Sequence, residues 1–160
     1  ELADEVCGGV LSAGPGRLEA AGELGIPQVV SLGALDMVNF GPLDSVPEQH
    51  RGRNLYVHNP TITLMRTTPE ENAILGEWIG KKLSQATGPT ALFIPLRGVS
   101  AIAVEGQVFH DPAADEALLG ALRTHLGPHV EVHELDTDIN DETFAVAMAD
   151  RLHELIGEAA

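Results

Sequence analysis

The chain has 160 residues, of which 24 are acidic and 9 basic, so its formal charge at neutral pH is −15. Such an excess of negative charge repels a phosphate backbone, which excludes broad nucleic-acid binding as the function. The longest apolar runs are far shorter than the roughly 20 residues of a membrane span, so no membrane association is expected. The single cysteine, Cys7, excludes an internal disulfide and fits a reducing compartment, from which we expect a cytoplasmic location.

The length and the start of the chain bear on domain organisation. A domain typically has about 100–200 residues, so one domain over residues 1–160 is predicted. The sequence begins at Glu1 rather than at methionine, and a helical pattern over residues 2–6 starts abruptly. We therefore expect residues 1–160 to be an excised domain, with material missing on its N-terminal side.

Apolar runs predict four β-strands, at residues 26–32, 54–58, 90–96 and 130–135. The run at 90–96 is continuously apolar, which is typical of a strand buried on both faces, whereas the run at 130–135 alternates and favours an edge position. A shorter run at residues 10–12 is a candidate fifth strand.

Helical patterns lie between these runs, at residues 17–24, 69–86, 112–126 and 141–156. Thr68, Pro69 and Glu71 have the spacing of a capping box at a helix start. Asp111 and Asn140 are the predicted caps of the last two helices. Because strands and helices alternate, we predict an α/β fold, a Rossmann-like three-layer sandwich with a mostly parallel sheet of four to five strands.

Polar residues that follow the predicted strands are the first candidates for a functional site, since ligands of open α/β sheets bind beyond the carboxyl ends of the strands. In strand order they are Ser31, Asp36 and Asn39; His58 and Asn59; Arg97 and Ser100; and Asp136, Asp138 and Asn140. In a parallel sheet all four groups would meet at one edge. The connection over residues 33–53 is long and mostly irregular, which is often a functional feature.

Two arginines are candidate anchors for an anionic ligand, because the planar guanidinium group suits a carboxylate or a phosphate. Arg66 precedes the helix start at Pro69, and Arg97 directly follows the buried strand at 90–96. Purely structural alternatives stay open for both. Arg66 could pair with Glu70, and Arg97 could form a buried ion pair with an aspartate such as Asp36 or Asp111.

Other motifs give weak or negative signals. The glycine-rich segment at residues 8–17 contains no lysine, so it is not a P-loop, and a tight turn before a helix explains it as well. His58, His110 and Asp111 match no compact zinc spacing, and no metal site is predicted. The serines that follow strands lack the G-x-S-x-G pattern of a nucleophile elbow.

Four segments of the chain resemble the C-terminal half of the tomato mosaic virus resistance protein family. They are residues 9–15, residues 33–41, residues 58–60 together with 65–71, and residues 95–100, and residues 136–141 fit as well. The resemblance covers nearly the whole chain, and the bacterial and fungal members are mostly uncharacterised. It implies a parent protein with two Rossmann-like halves, in which ATP is a cofactor of the N-terminal half.

Three functions follow as hypotheses. In the first, the domain binds a small anionic metabolite or a nucleotide at the carboxyl edge of the sheet; the candidate binding residues are Asn39, Asn59, Arg66, Arg97 and Ser100. In the second, it is part of an enzyme that acts on a small carboxylated or phosphorylated metabolite and is completed by the N-terminal domain, with Asp36 or His58 as the base. In the third, it is a dimerisation or interaction domain, with a homodimer formed through exposed Trp78 or Phe40.

Overall fold

The structure is a computed structural model that describes residues 1–159. Within that range the helices are α1 (Leu2–Cys7), α2 (Ala20–Glu23), α3 (Pro69–Ser84), α4 (Pro112–His125) and α5 (Glu142–Ala159). The strands are β1 (Gln28–Ser31), β2 (Met37–Phe40), β3 (Leu55–Asn59), β4 (Ile62–Arg66), β5 (Thr90–Pro95) and β6 (Glu131–Leu135). They form two three-stranded sheets, so the predicted α/β class is confirmed.

A parallel sheet with the strand order β1-β5-β6 is the centre of the domain. Its middle strand, β5, is buried along its whole length. Leu92 and Ile94 pack into the larger hydrophobic core on one face, and Ala91 and Phe93 into the smaller core on the other. The continuous apolar run at 90–96 is therefore a central strand, as predicted, and the alternating run at 130–135 is an edge strand.

Helices cover both faces of the parallel sheet. Leu75 and Ile79 of α3 and Leu118 of α4 belong to the larger core, while Phe144 and Leu155 of α5 pack against the other face. The result is a three-layer arrangement in which β5 is shielded from water on both sides. None of the helices within residues 1–159 is long and apolar enough to cross a membrane.

Helices α3 and α4 pack unusually closely because glycine stands at their crossing. A Cβ atom placed on Gly76 would lie 2.9 Å from the backbone nitrogen of Leu122 and still nearer the carbonyl oxygen of Leu118. A Cβ atom on Gly80 would lie 3.0 Å from that of His125. The backbones of the two helices thus lie closer together than a larger residue at Gly76 would allow.

An antiparallel sheet with the strand order β2-β4-β3 corrects the predicted Rossmann-like topology. The run at 54–58, expected in the parallel sheet, is β3 of this second sheet, so the parallel sheet has three strands rather than four to five. The physical reason is the tight turn after β3. The Asn59 side-chain oxygen accepts hydrogen bonds from the amide and the hydroxyl of Thr61, both at 2.9 Å, and the chain reverses directly into β4.

Three further segments differ from the prediction. Residues 10–12 form no strand; the Val10 amide donates to the Asn39 carbonyl at 2.8 Å, which lays this loop along β2. The connection over residues 33–53 is more regular than expected, since it contains β2 and two 3-10 turns at Leu43–Ser45 and Glu48–His50. Only Ala20–Glu23 of the predicted helix at 17–24 is α-helical.

The predicted helix starts are largely confirmed. The Thr68 hydroxyl accepts from the Glu71 amide at 3.2 Å, and the Glu71 carboxylate accepts from the Thr68 amide at 2.8 Å, which completes the capping box of α3. The Asp111 carboxylate accepts from the amide of Ala114 at the start of α4. Before α5 the capping group is Asp141, which accepts from Thr143, and not the predicted Asn140.

Candidate ligand-binding cleft

An open cleft of about 630 Å³ lies beyond the carboxyl ends of β5 and β6. Its walls come from the segment after β5, from the first three turns of α4 and from the segment after β6. The lining residues are Leu96, Arg97, Ala103, Val104, Glu105, His110, Pro112, Asp115, Glu116, Leu119, Arg123 and Asp138. This is the location at which ligands of open α/β sheets bind.

The two segments that leave β5 and β6 stay paired beyond the ends of the strands. The Arg97 amide donates to the Thr137 carbonyl at 3.0 Å, and the Ile139 amide donates to the Gly98 carbonyl at 3.0 Å. Gly98 has a φ angle of 140°, a backbone conformation that a side chain would strain. These contacts fix the positions from which Arg97 and Asp138 reach the cleft.

Arg97, which lines the cleft, forms an ion pair with Asp136. The Nε and Nη2 atoms of Arg97 lie 2.7 and 2.6 Å from the two carboxylate oxygens of Asp136. Hydrogen bonding to Arg97 holds the pKa of Asp136 below its ordinary value. The side chains are 64% and 72% exposed, so the pair is accessible to a ligand, and neither of the buried partners considered for Arg97, Asp36 or Asp111, is correct.

A second arginine of the cleft, Arg123, was missed by the sequence analysis. It lies on α4 and pairs with Glu134 of β6, and its side chain is 53% exposed. A signal was present in the helical spacing, because Glu116, Leu119 and Arg123 recur at intervals of three and four residues and so share one face of α4. That face borders the cleft.

His110 also lines the cleft, at the end of the segment after β5. One ring nitrogen, Nδ1, is 3.2 Å from the carbonyl oxygen of Ala103, a contact that spans the turn between these two lining residues. The imidazole is exposed and contributes a polar group to the cleft.

Arg66 does not face the cleft as an anion anchor. Its side chain is 4% exposed, and its Nη2 atom is 2.9 Å from the carboxylate of Asp115 rather than paired with Glu70. Its Nε atom donates to the carbonyl of Phe109 at 2.7 Å, and its Nη1 atom donates to the hydroxyl of Thr67 at 2.8 Å. Arg66 therefore ties β4 to the wall of the cleft.

The segments after β1 and β5 are in contact, as predicted, but the side chains that meet there are buried. The Ala34 amide donates to the Val99 carbonyl at 2.8 Å, and the Ser100 hydroxyl donates to Oδ2 of Asp36 at 2.6 Å. Asp36 is fully buried, and among residues 1–159 its Oδ1 atom has no hydrogen-bond partner. Burial raises the pKa of Asp36 above its ordinary value, against the opposing effects of Ser100 and Arg66.

The remaining predicted site residues lie in structural contacts of the antiparallel sheet. The Asn39 amide and side chain donate to the buried carboxylate of Asp4, at 2.5 and 2.9 Å, and so attach β2 to α1. His58 and Asn59 lie at the hairpin between β3 and β4 instead of at the carboxyl edge of the parallel sheet. The structure thus separates these residues from Arg97.

The exposed apolar patch expected for an interaction domain is absent from the part of the chain that the structure describes. Phe40 is buried, and Trp78 is partly buried against the larger core, so these residues form no exposed apolar patch. No three His, Cys, Asp or Glu side chains within residues 1–159 are grouped closely enough to hold a metal ion.

The fold and the cleft define an α/β domain whose candidate ligand site lies at the carboxyl ends of parallel strands. The model of the C-terminal domain of the uncharacterised protein family UPF0261 matches residues 1–156. The chain therefore belongs to this family, and its predicted similarity to the tomato mosaic virus resistance proteins is confirmed.

Similar proteins occur in bacteria and in a plant. The chain is 58% identical over 153 residues to a UPF0261 protein of Clostridium tetani, an alignment that covers 95% of the chain and 38% of the relative. It is 51% identical over 149 residues to a UPF0261 protein of Rhizobium meliloti, with 92% and 37% covered. The ToMV resistance protein Tm-1(GCR237) of Solanum lycopersicum is 40% identical over 157 residues, with 97% and 21% covered. The chain thus spans 38% or less of the length of each of these relatives.

Proposed function

We propose that this domain contributes a binding cleft for a small metabolite that carries an anionic group. The observation that supports the proposal is the presence of two exposed arginines, Arg97 and Arg123, on one cleft at the carboxyl ends of β5 and β6. In a chain with a formal charge of −15, such positive charge is scarce. Arginine is also the side chain best suited to a carboxylate or a phosphate.

The two arginines keep hydrogen-bonding capacity for a ligand. The pair with Asp136 uses Nε and Nη2 of Arg97 and leaves its Nη1 group. The bond with Glu134 uses Nη2 of Arg123 and leaves Nε and Nη1. The ion pairs also orient the two guanidinium groups before a ligand arrives, which lowers the entropy lost on binding.

We extend the proposal to the whole protein. Since the chain spans 38% of the Clostridium tetani relative, we expect a companion domain of the same polypeptide to close the open side of the cleft. ATP, if the parent protein uses it, would then belong to that companion. The proposed enzymatic roles of Asp36 and His58 find no support in their positions, because one is enclosed in the core and the other lies on the β3–β4 hairpin.

Calorimetric titration of the full-length protein with inorganic phosphate, citrate and ATP tests the proposal. We expect binding of at least one anion, and a loss of affinity of about threefold to tenfold in Arg97→Gln and in Arg123→Gln, the range of a single partly exposed charge contact. Lys81→Gln is the matched control, since it removes the same charge from an exposed position of α3. Unchanged affinity in both arginine variants would contradict the proposed site.

A further inference from the structure

We infer that the ligand of the cleft is a hydroxylated anion, of the chemical class of the sugar acids and sugar phosphates, and that Asp115 and His110 accept hydrogen bonds from its hydroxyl groups. The inference rests on the proposed function and specifies the ligand of the same site. It is carried by two hydrogen-bond acceptors at the start of α4 that receive no donor from residues 1–159.

Asp115 is held by Arg66 through only one of its two carboxylate oxygens. The Nη2 atom of Arg66 donates to Oδ1 of Asp115 at 2.9 Å, while Nε and Nη1 of Arg66 donate to Phe109 and Thr67. The Oδ2 atom of Asp115 accepts no hydrogen bond from residues 1–159 and is not buried, and the side chain is 30% exposed on the cleft. Because Arg66 is buried and all its nitrogens are engaged, Oδ2 is oriented before a ligand binds.

Two other arginine–carboxylate pairs of this chain are formed differently. Arg53 donates to both oxygens of Glu71, at 3.0 and 2.7 Å, and Arg97 donates to both oxygens of Asp136. Such a two-point contact satisfies the whole carboxylate. The single contact between Arg66 and Asp115 leaves one carboxylate oxygen with capacity for a further donor.

The environment of Asp115 favours an uncharged donor. Arg66 already offsets the negative charge of this carboxylate, so the pair does not call for a second cation. Burial nevertheless raises the pKa of Asp115 above its ordinary value, against the opposing effects of Arg66 and His110. The partial loss of hydration thus disfavours the ionised form, and one more donor to Oδ2 would offset part of that cost. A hydroxyl group supplies this donor without adding charge.

His110 supplies the second acceptor. Its Nδ1 atom donates to the carbonyl oxygen of Ala103 at 3.2 Å, since a carbonyl oxygen can only accept. In the neutral ring Nε2 is therefore an acceptor, and it forms no hydrogen bond with residues 1–159. His110 and Asp115 occupy the N′ and N4 positions of α4, whose side chains often pack together, and His110 is near enough to lower the pKa of Asp115. Two adjacent acceptors suit hydroxyl groups on neighbouring carbon atoms.

The spacing along α4 separates these acceptors from an arginine of the cleft. Asp115, Leu119 and Arg123 recur every four residues on one face of the helix, and all three line the cleft. At a rise of about 1.5 Å per residue, the backbone of Arg123 lies about 12 Å beyond that of Asp115. Helical side chains lean towards the N-terminus, so the arginine side chain shortens this gap. A ligand with an anionic group at one end and hydroxyl groups further along a short carbon chain matches the arrangement.

Calorimetry on the full-length protein with matched pairs of anions tests the inference. The hydroxylated probes are tartrate, glucarate and glycerol 3-phosphate, and the counterparts without hydroxyl groups are succinate, adipate and propyl phosphate. We expect at least one hydroxylated anion to bind about tenfold more tightly than its counterpart. The first two pairs report on a carboxylate as the anionic group, and the third reports on a phosphate.

Two variants assign the preference to the proposed acceptors. Asp115→Asn keeps an oxygen for Arg66 and replaces the charged Oδ2 acceptor, and His110→Phe removes the ring nitrogens. Each should reduce the preference for the hydroxylated anion about threefold or more and leave the affinity of the counterpart within about twofold, because charge-assisted and buried hydrogen bonds are lost while the arginines remain. Asp150→Asn, at an exposed position of α5, is the matched control for the change in charge.

The outcomes separate this inference from the proposed function. Equal affinity within every pair, or a preference that Asp115→Asn and His110→Phe both retain, overturns the hydroxylated ligand while the anion cleft stands. Failure of all six probes, with arginine-dependent binding of inorganic phosphate, citrate or ATP, also overturns the inference alone. Failure of every one of these anions to bind overturns both proposals.

Discussion

The hydroxyl of Ser100 donates a 2.6 Å hydrogen bond to the buried carboxylate of Asp36, across a sequence separation of 64 residues. The bond joins the start of the segment over residues 97–111, which forms one wall of the cleft, to the connection between β1 and β2. Arg66 attaches the end of the same segment through the carbonyl of Phe109. Two buried polar contacts thus hold the cleft wall against the antiparallel sheet, and each leads to a prediction.

Replacing Arg66 with methionine should destabilise the protein by about 2–4 kcal/mol, because it leaves Asp115 and the Phe109 carbonyl without their partner. The free energy of unfolding from urea denaturation measures the effect. Arg66→Lys should recover only part of it, since an ammonium group cannot reproduce the fork of donors. Lys81→Met removes an exposed pair and should leave the unfolding midpoint unchanged; a comparable loss in both variants would contradict the structural role of Arg66.

Asp36 should make stability depend on pH in the direction opposite to that of a salt-bridged carboxylate. Burial raises its pKa in the folded state above the ordinary value of 3.8, so the folded protein holds this proton more tightly than the unfolded chain. Stability from this group is therefore present below 3.8 and is lost as the pH rises through the raised pKa.

The comparison of the wild type with Asp36→Asn isolates this effect, because asparagine keeps a side-chain acceptor for Ser100 and does not titrate. Urea denaturation between about pH 4 and 8 should show the wild type losing stability relative to the variant as the pH increases, with a plateau once Asp36 is ionised. A difference that is constant with pH would show that the carboxyl group does not titrate in that range.

The capping box of α3 gives a local prediction. Thr68→Ala removes the acceptor for the Glu71 amide and should lower stability by about 1 kcal/mol, whereas Thr68→Ser keeps the hydroxyl and should restore most of it. Thermal or chemical unfolding of the two variants, compared with the wild type, measures the difference. Equal stability of the alanine and serine variants would contradict a role for the hydroxyl.

The parts of the fold that the sequence predicted are those set by local patterns. The capping box at Thr68, the cap at Asp111 and the continuous apolar run of β5 depend on neighbours within a few residues, and each is present in the structure. The turn at Asn59 decides which sheet β3 joins. Strand β4 is hard to predict from the sequence because a buried threonine and a buried arginine interrupt its apolar pattern.

The part of the site that lies at the edge of the parallel sheet could be predicted from the sequence. The rule that ligands bind beyond strand ends selected Arg97 and Asp138, which line the cleft. It could not show that Arg66 is buried, because its partner Asp115 lies 49 residues away on α4. It also missed Arg123, which reaches the cleft from a helix rather than from a strand end.

The crossing of α3 and α4 offers the sharpest test of the packing. Gly76→Ala should favour the isolated helix by about 1 kcal/mol, yet its Cβ atom would lie 2.9 Å from the backbone nitrogen of Leu122. Backbone atoms cannot move aside as a flexible side chain does, so overpacking should dominate and the variant should lose about 2 kcal/mol or more. Gly120→Ala on α4 is the matched control, because nothing lies within 4 Å of its added Cβ atom, and it should gain about 0.5–1 kcal/mol. Opposite signs for these two substitutions in urea denaturation would confirm the close approach of the helices, and a gain in both would contradict it.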